Sequence, residues 1–170
     1  MRRRTFLTVG IAGAATLAAA GWLASAMRAR PGARALDDDA RAIMAAIVPA
    51  MLDRALPERP SDRDAAVTEI VDGVDHAITG LLPPARAELG QLFALLAMTP
   101  ARRAFAGVAS PWNEATRDEV AAFLDAWRSS GWALKRSAYD AFHQLVFAAW
   151  YGNPRSWATI GYPGPPRINA

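Results

Sequence analysis

Residues 115–131 read ATRDEVAAFLDAWRSSG, and this stretch decides the fold class. Thr116 and Glu119 have capping-box spacing, in which a hydroxyl and a carboxylate satisfy each other's orphan backbone donors at a helix start. Val120, Phe123, Leu124 and Trp127 then recur at intervals of three and four, the period of one buried helix face. Gly131 follows as a stop signal. A half-buried strand would alternate its apolar residues instead. The segment predicts an amphipathic helix.

The same spacing extends upstream. In DDDARAIMAAIVPAMLDRAL (37–56) the acids Asp37, Asp38 and Asp39 favour a helix N-terminus. Their clustering is better explained by capping than by a metal. Ile43, Ile47 and Met51 then align, as do Met44, Val48 and Leu52. Pro49 lacks a backbone donor and is expected to bend or break this helix. PERPSDRD (57–64) reads as a polar loop, followed by a helix over 64–78 with Val67, Ile70, Val71, Val74 and Ile78 on one face. Pro83-Pro84 suits a first helical turn, with Leu89, Leu92, Phe93 and Leu96 facing inward. Thr99-Pro100 opens a short helix through residue 105.

Downstream, a long helix is expected over 133–150, with Leu134, Tyr139, Phe142, Val146, Phe147 and Trp150 inside. The body is therefore all-α, a compact bundle of five to six helices covering residues 36–150. An N-terminal signal segment (1–35) precedes it and a C-terminal tail (151–170) follows. The 135 residues after the signal segment suit one domain.

Charge and composition remove several function classes. The whole chain carries a formal +3 with no cysteine. Six arginines and no acid lie in residues 1–35, which leaves 13 basic residues against 16 acidic ones in the body. The basic character belongs to the leader, and nucleic-acid binding is rejected. The lack of cysteine excludes disulfides, thiolate metal sites, iron–sulfur clusters and covalent haem attachment. His76 and His143 have no metal-style partner at i+4. Asp72 and Asp140 stand where simple helical hydrogen bonds to them could form. There is no phosphate loop and no nucleophile elbow. The residues point to no catalytic, cofactor-binding or metal site in this chain.

The leader is more specific. Arg3-Arg4-Thr5-Phe6-Leu7 places adjacent arginines before x-Phe-Leu, the pattern of a twin-arginine export signal. An uncharged stretch rich in Ala and Gly follows over 9–26. Arginines recur at 28, 30 and 34. The signal ends at Ala24-Ser25-Ala26 or at Ala33-Arg34-Ala35, and cleavage after Ala35 is the favoured reading. The apolar run is near the lower length limit of a membrane span, so retention as an anchor is the alternative.

The tail, AAWYGNPRSWATIGYPGPPRINA (148–170), concentrates Trp150, Tyr151, Trp157 and Tyr162 among glycines and prolines. Asn153-Pro154 reads as the cap and first residue of one helical turn. Residues 161–166 are expected to be extended, because their prolines forbid a helix or a central strand. A stiff aromatic strap loses little entropy on docking, which favours contact with another protein. The alternative is a tail that folds back over its own bundle.

Together, the twin-arginine leader, AIVPAMLD (46–53) near the start of a helical body, and the ending YGNPRSWATIGYPGPP (151–166) resemble the gluconate 2-dehydrogenase subunit 3 family. These are small subunits of periplasm-facing, membrane-associated flavin dehydrogenases, and the chain is most similar to those paired with glucose–methanol–choline-type oxidoreductases. The resemblance implies a non-catalytic accessory subunit. In such systems the large subunit holds FAD and performs the oxidation, while the small subunit supplies the signal read by the twin-arginine translocase. A membrane cytochrome c subunit, where present, accepts the electrons. Arg3, Arg4, Phe6 and Leu7 carry over as the export signal. Trp150, Tyr151, Gly152, Trp157, Gly161, Tyr162, Pro163 and Gly164 carry over as a partner-facing tail. Some members of the family bridge to the large subunit through cysteine, whereas association here must be non-covalent. The competing expectation is a free-standing periplasmic helical protein, a ligand binder or envelope scaffold, with its tail packed on itself.

Overall fold

In a computed structural model, residues 35–159 and 161–164 are described. The described chain is all-helical: α1 (Asp38–Met51), α2 (Pro60–Thr79), α3 (Pro83–Ala97), α4 (Thr99–Ala101), a π-helical turn (Arg102–Ala106), α5 (Arg117–Arg128), α6 (Ala133–Gly152) and α7 (Pro154–Thr159).

Helix starts follow local chemistry. The Asp37 side chain accepts a hydrogen bond from the Ala40 N–H at 2.8 Å, and Asp38 and Asp39 occupy the first turn of α1. Pro49 does not interrupt α1, which runs on to Met51. The proline sits in the last turn, so one ladder bond is lost where the helix is ending anyway. Helix α2 begins at Pro60 rather than near residue 64, because proline suits a first turn. Arg63 steadies this start by donating to the Asp53 and Pro57 carbonyls at 3.0 and 3.2 Å.

At α5 the Thr116 hydroxyl accepts from the Glu119 N–H at 3.2 Å, as the capping box requires. The Glu119 carboxylate is turned mainly elsewhere, to the N–H groups of Ala109 and Ser110 at 2.5 and 3.2 Å. Bonding to the Ser110 N–H, and secondarily to that of Ala109, holds this carboxyl below its ordinary value of 4.5. A depressed folded value means that the stabilisation is complete above about pH 4.5 and is lost as pH falls through the folded value. Glu119→Gln is therefore expected to flatten the loss of stability below about pH 4.5, measured by thermal unfolding at stepped pH.

The short helix expected over 99–105 gives way after Ala101 to the π turn. Its wider winding frees carbonyls for outside donors. The Phe105 carbonyl accepts from Trp127 Nε1 at 2.9 Å and from Lys135 Nζ at 3.1 Å. Gly107, at φ 73°, ends the turn in the left-handed region that favours glycine.

Helix α1 is the central rod. It packs on α2, α3 and α5 and touches α6, while α6 also packs on α2 and α5. Helices α1 and α2 run antiparallel, with the Leu36 N–H donating to Asp75 Oδ1 at 2.7 Å and Arg41 paired with Asp72 at 2.5 Å. Ile43, Met44, Ile47 and Val48 of α1 are completely buried, as are Val120 of α5 and Phe142 and Val146 of α6. Edge-on and tilted aromatic pairs bind the far side of the core: Trp112 with Phe123, Phe123 with Trp127, and Phe93 with Phe142.

Helices α2 and α6 approach closely at Gly73. A Cβ there would lie 3.0 Å from Ala149 Cβ and 3.6 Å from its Cα. Gly73→Leu is expected to cost about 1–3 kcal/mol by overpacking, read as a lowered denaturant midpoint. Its cause would be steric, since the backbone here is ordinary helix.

Two expectations for α6 are corrected. Leu134, expected inside, is 78% exposed. Tyr139 and Phe147, also expected inside, are only half-buried against the core. The helix offers its core face to α2 and α5 and leaves two flanks open.

Candidate functional site

The first open flank is aromatic. Tyr139, His143, Phe147 and Tyr151 follow one another at i+4 along α6, which stacks them on one side of the helix. Their ring centroids are 6.0, 4.3 and 5.9 Å apart in that order, and the His143 and Phe147 rings are stacked. His143 is exposed and Tyr151 is 50% exposed. Neither carboxylate–histidine pair considered from the sequence forms, because Asp72 is taken by Arg41 and His143 rests on Phe147.

The band continues into the tail. The Tyr151 carbonyl accepts from Trp157 Nε1 at 2.9 Å, and Tyr162 meets the Trp157 ring edge-on at 5.5 Å. The Tyr162 N–H closes the loop on the Trp157 carbonyl at 2.8 Å. Gly161 and Gly164 have φ of 70° and 95°. The described part of 161–166 is therefore curled, which corrects the expected extended strap. At Gly164 the backbone passes so close to Trp157 that a Cβ would lie 3.0 Å from the indole. Glycine supplies both the turn and the room.

The foot of this hook is fastened by charge. Arg155 donates to both Glu69 oxygens, at 2.7 and 3.0 Å, and Asn153 Nδ2 adds a third bond at 2.9 Å. The Arg155 guanidinium first, and Asn153 second, hold the Glu69 carboxyl below its usual range. Asn153 also caps α7 by accepting from the Arg155 N–H at 2.9 Å, as its position before Pro154 suggested.

The residues expected to face a partner therefore divide. Tyr151, Gly152, Gly161, Tyr162 and Pro163 are exposed, while Trp157 and Gly164 are partly covered by each other. Trp150 is 3% exposed and belongs to the core, so it cannot meet a partner in this fold. Tyr151 and Gly152 belong to the last turn of α6 rather than to the tail. Gly152 lines a hollow of about 650 Å³ with Glu69, His76 and Pro154. Arg3, Arg4, Phe6 and Leu7, with the signal-segment and anchor readings, lie outside the described residues, as do Pro165 and Pro166. The aromatic ladder itself was missed in the sequence, although the i+4 spacing in YDAFHQLVFAAWY (139–151) carries it.

The other flank of α6 faces a groove of about 490 Å³ between α6, α3 and the end of α2. Leu81, Leu89, Leu92, Ala138, Ala141 and Leu145 line it, with Glu88 and Gln144 among the few polar groups. Among the described residues no three His, Asp or Glu side chains converge as a metal set, and no helix is long and apolar enough to cross a membrane. Comparison of the chain with protein-family models, with curated proteins and with solved structures gave no match.

Proposed function

We propose that this chain is a non-catalytic accessory subunit that escorts a folded FAD-dependent dehydrogenase through twin-arginine translocation and stabilises it in the periplasm. The observation that carries the reading is the aromatic band from Tyr139 to Tyr162, which the bundle leaves partly open to solvent at His143, Tyr151 and Tyr162, on a chain whose leader reads Arg3-Arg4-Thr5-Phe6-Leu7. Tyrosines that are about half-exposed, as Tyr151 and Tyr162 are, suit interface anchoring, because the rings bury a large area with few rotors to freeze. FAD belongs to the partner in this reading, and the substrate is selected there.

Co-expression with a signal-less flavoprotein tests the proposal. The pair is expected to co-purify with flavin absorbance. Tyr151→Ala and Tyr162→Ala are each expected to weaken retention at least about tenfold. Both side chains are about half-exposed, so the fold survives and the thermal midpoint changes little. Flavoprotein retention unchanged in both variants would rule out the aromatic band as the contact.

One observation favours a second reading. The hook over Trp157 and the Glu69–Arg155 clamp fold the described tail onto its own bundle, as a free-standing periplasmic protein would have it. Such a protein would use the groove beside α6 for a ligand, or serve as an envelope scaffold. Purification as a monomer with no flavin attached, even when a flavoprotein is supplied, would favour this alternative.

A further inference from the structure

The groove between α3 and α6 is an apolar surface without a partner among the described helices, and the chain itself carries a fitting occupant. We propose that the uncharged segment of residues 9–26 docks in cis with one of its faces on this groove, so that the bundle covers part of its own leader. The inference uses the leader of the proposed function but needs no flavoprotein.

Three observations support it. The first is direction. The Leu36 N–H is fixed to Asp75 and Arg41 to Asp72, with α1 antiparallel to α2. The described chain thus starts beside Asp75, on the stretch of α2 that leads to the groove-lining residues Ala77 and Leu81. The second is reach. Residues 27–35 separate the apolar segment from this fixed point, and nine residues span up to about 30 Å. A short tether gives an effective concentration of about a millimolar, so weak intrinsic affinity suffices for occupancy.

The third observation is complementarity. The segment VGIAGAATLAAAGWLASA has no charge and is rich in Ala and Gly, which suits close approach to a floor built of leucine and alanine. Arg28, Arg30 and Arg34 follow the segment in sequence, and Asp38 and Asp39 at the start of α1 are exposed acids of opposite charge. An uncharged stretch of this length is otherwise costly to leave in water.

The chain has no cysteine, so an introduced pair gives an unambiguous cross-link. In the full chain, Leu17→Cys is combined with Ala141→Cys in the groove or with Ala122→Cys on α5 as a control. Mild oxidation is expected to form an internal disulfide, at monomer mass, at least about tenfold faster for the groove pair. Ala148→Cys, an exposed groove position, replaces Ala141→Cys should the latter disturb folding. Equal rates for groove and control would overturn the proposal. So would cross-links found only at dimer mass, which would assign the groove to a second copy.

Discussion

Phe142→Ala is expected to remove about 3–5 kcal/mol of unfolding free energy, a large share of the roughly 5–15 kcal/mol that holds a domain together. Phe142 is completely buried. Its ring lies 5.8 Å from Phe93 of α3 and 6.5 Å from the stacked Trp127 of α5. Truncation therefore opens a cavity where α3, α5 and α6 meet, and three separate helices would have to shift to close it. Chemical denaturation should show a lower midpoint with an unchanged slope, since the surface exposed on unfolding stays the same. A loss below about 1 kcal/mol would mean that the site collapses freely, against the close packing of these rings.

The second large effect concerns export. Arg3→Lys combined with Arg4→Lys keeps the charge of the leader and changes only the planar guanidinium pair that the twin-arginine motif requires. Both substitutions lie outside residues 36–150, so the sequence of the bundle is unchanged. Cell fractionation is expected to find this chain in the cytoplasm, together with the flavoprotein of the proposed pair. If the flavoprotein reaches the periplasm as usual while this chain is retained, the escort role fails even where the two still bind each other. That outcome separates transport from association, which the tyrosine variants read.

Much of the bundle was legible because short-range rules agreed with long-range packing. Asp37 caps α1, Thr116 caps α5, Pro83 opens α3, and the buried faces of α1, α2 and α5 follow their three-and-four spacing. Departures arose where a distant group decided a local choice. The turn at Arg102–Ala106 winds wide where Trp127 and Lys135 take the Phe105 carbonyl, and neither donor is near in sequence. Glu119 mostly leaves its capping partner for the Ala109–Ser110 backbone.

Leu134 illustrates the limit of periodicity. Its spacing marks an apolar side of α6, but only the neighbouring helices determine whether that side is covered, and α3 stands off from it. The tail was half legible: its aromatic and glycine content marked a special segment. The left-handed turns at Gly161 and Gly164, which curl it onto Trp157, follow from local contacts that composition does not reveal.

The two walls of the groove are unequally braced. Helix α6 is wedged between α2 and α5, whereas α3 leans chiefly on α1 and is followed by Met98, whose extended backbone interrupts the helical path into α4. One jaw is therefore held by long helices on two sides and the other chiefly on one. Any change in the width of the cleft is thus opposed by more neighbours at α6 than at α3.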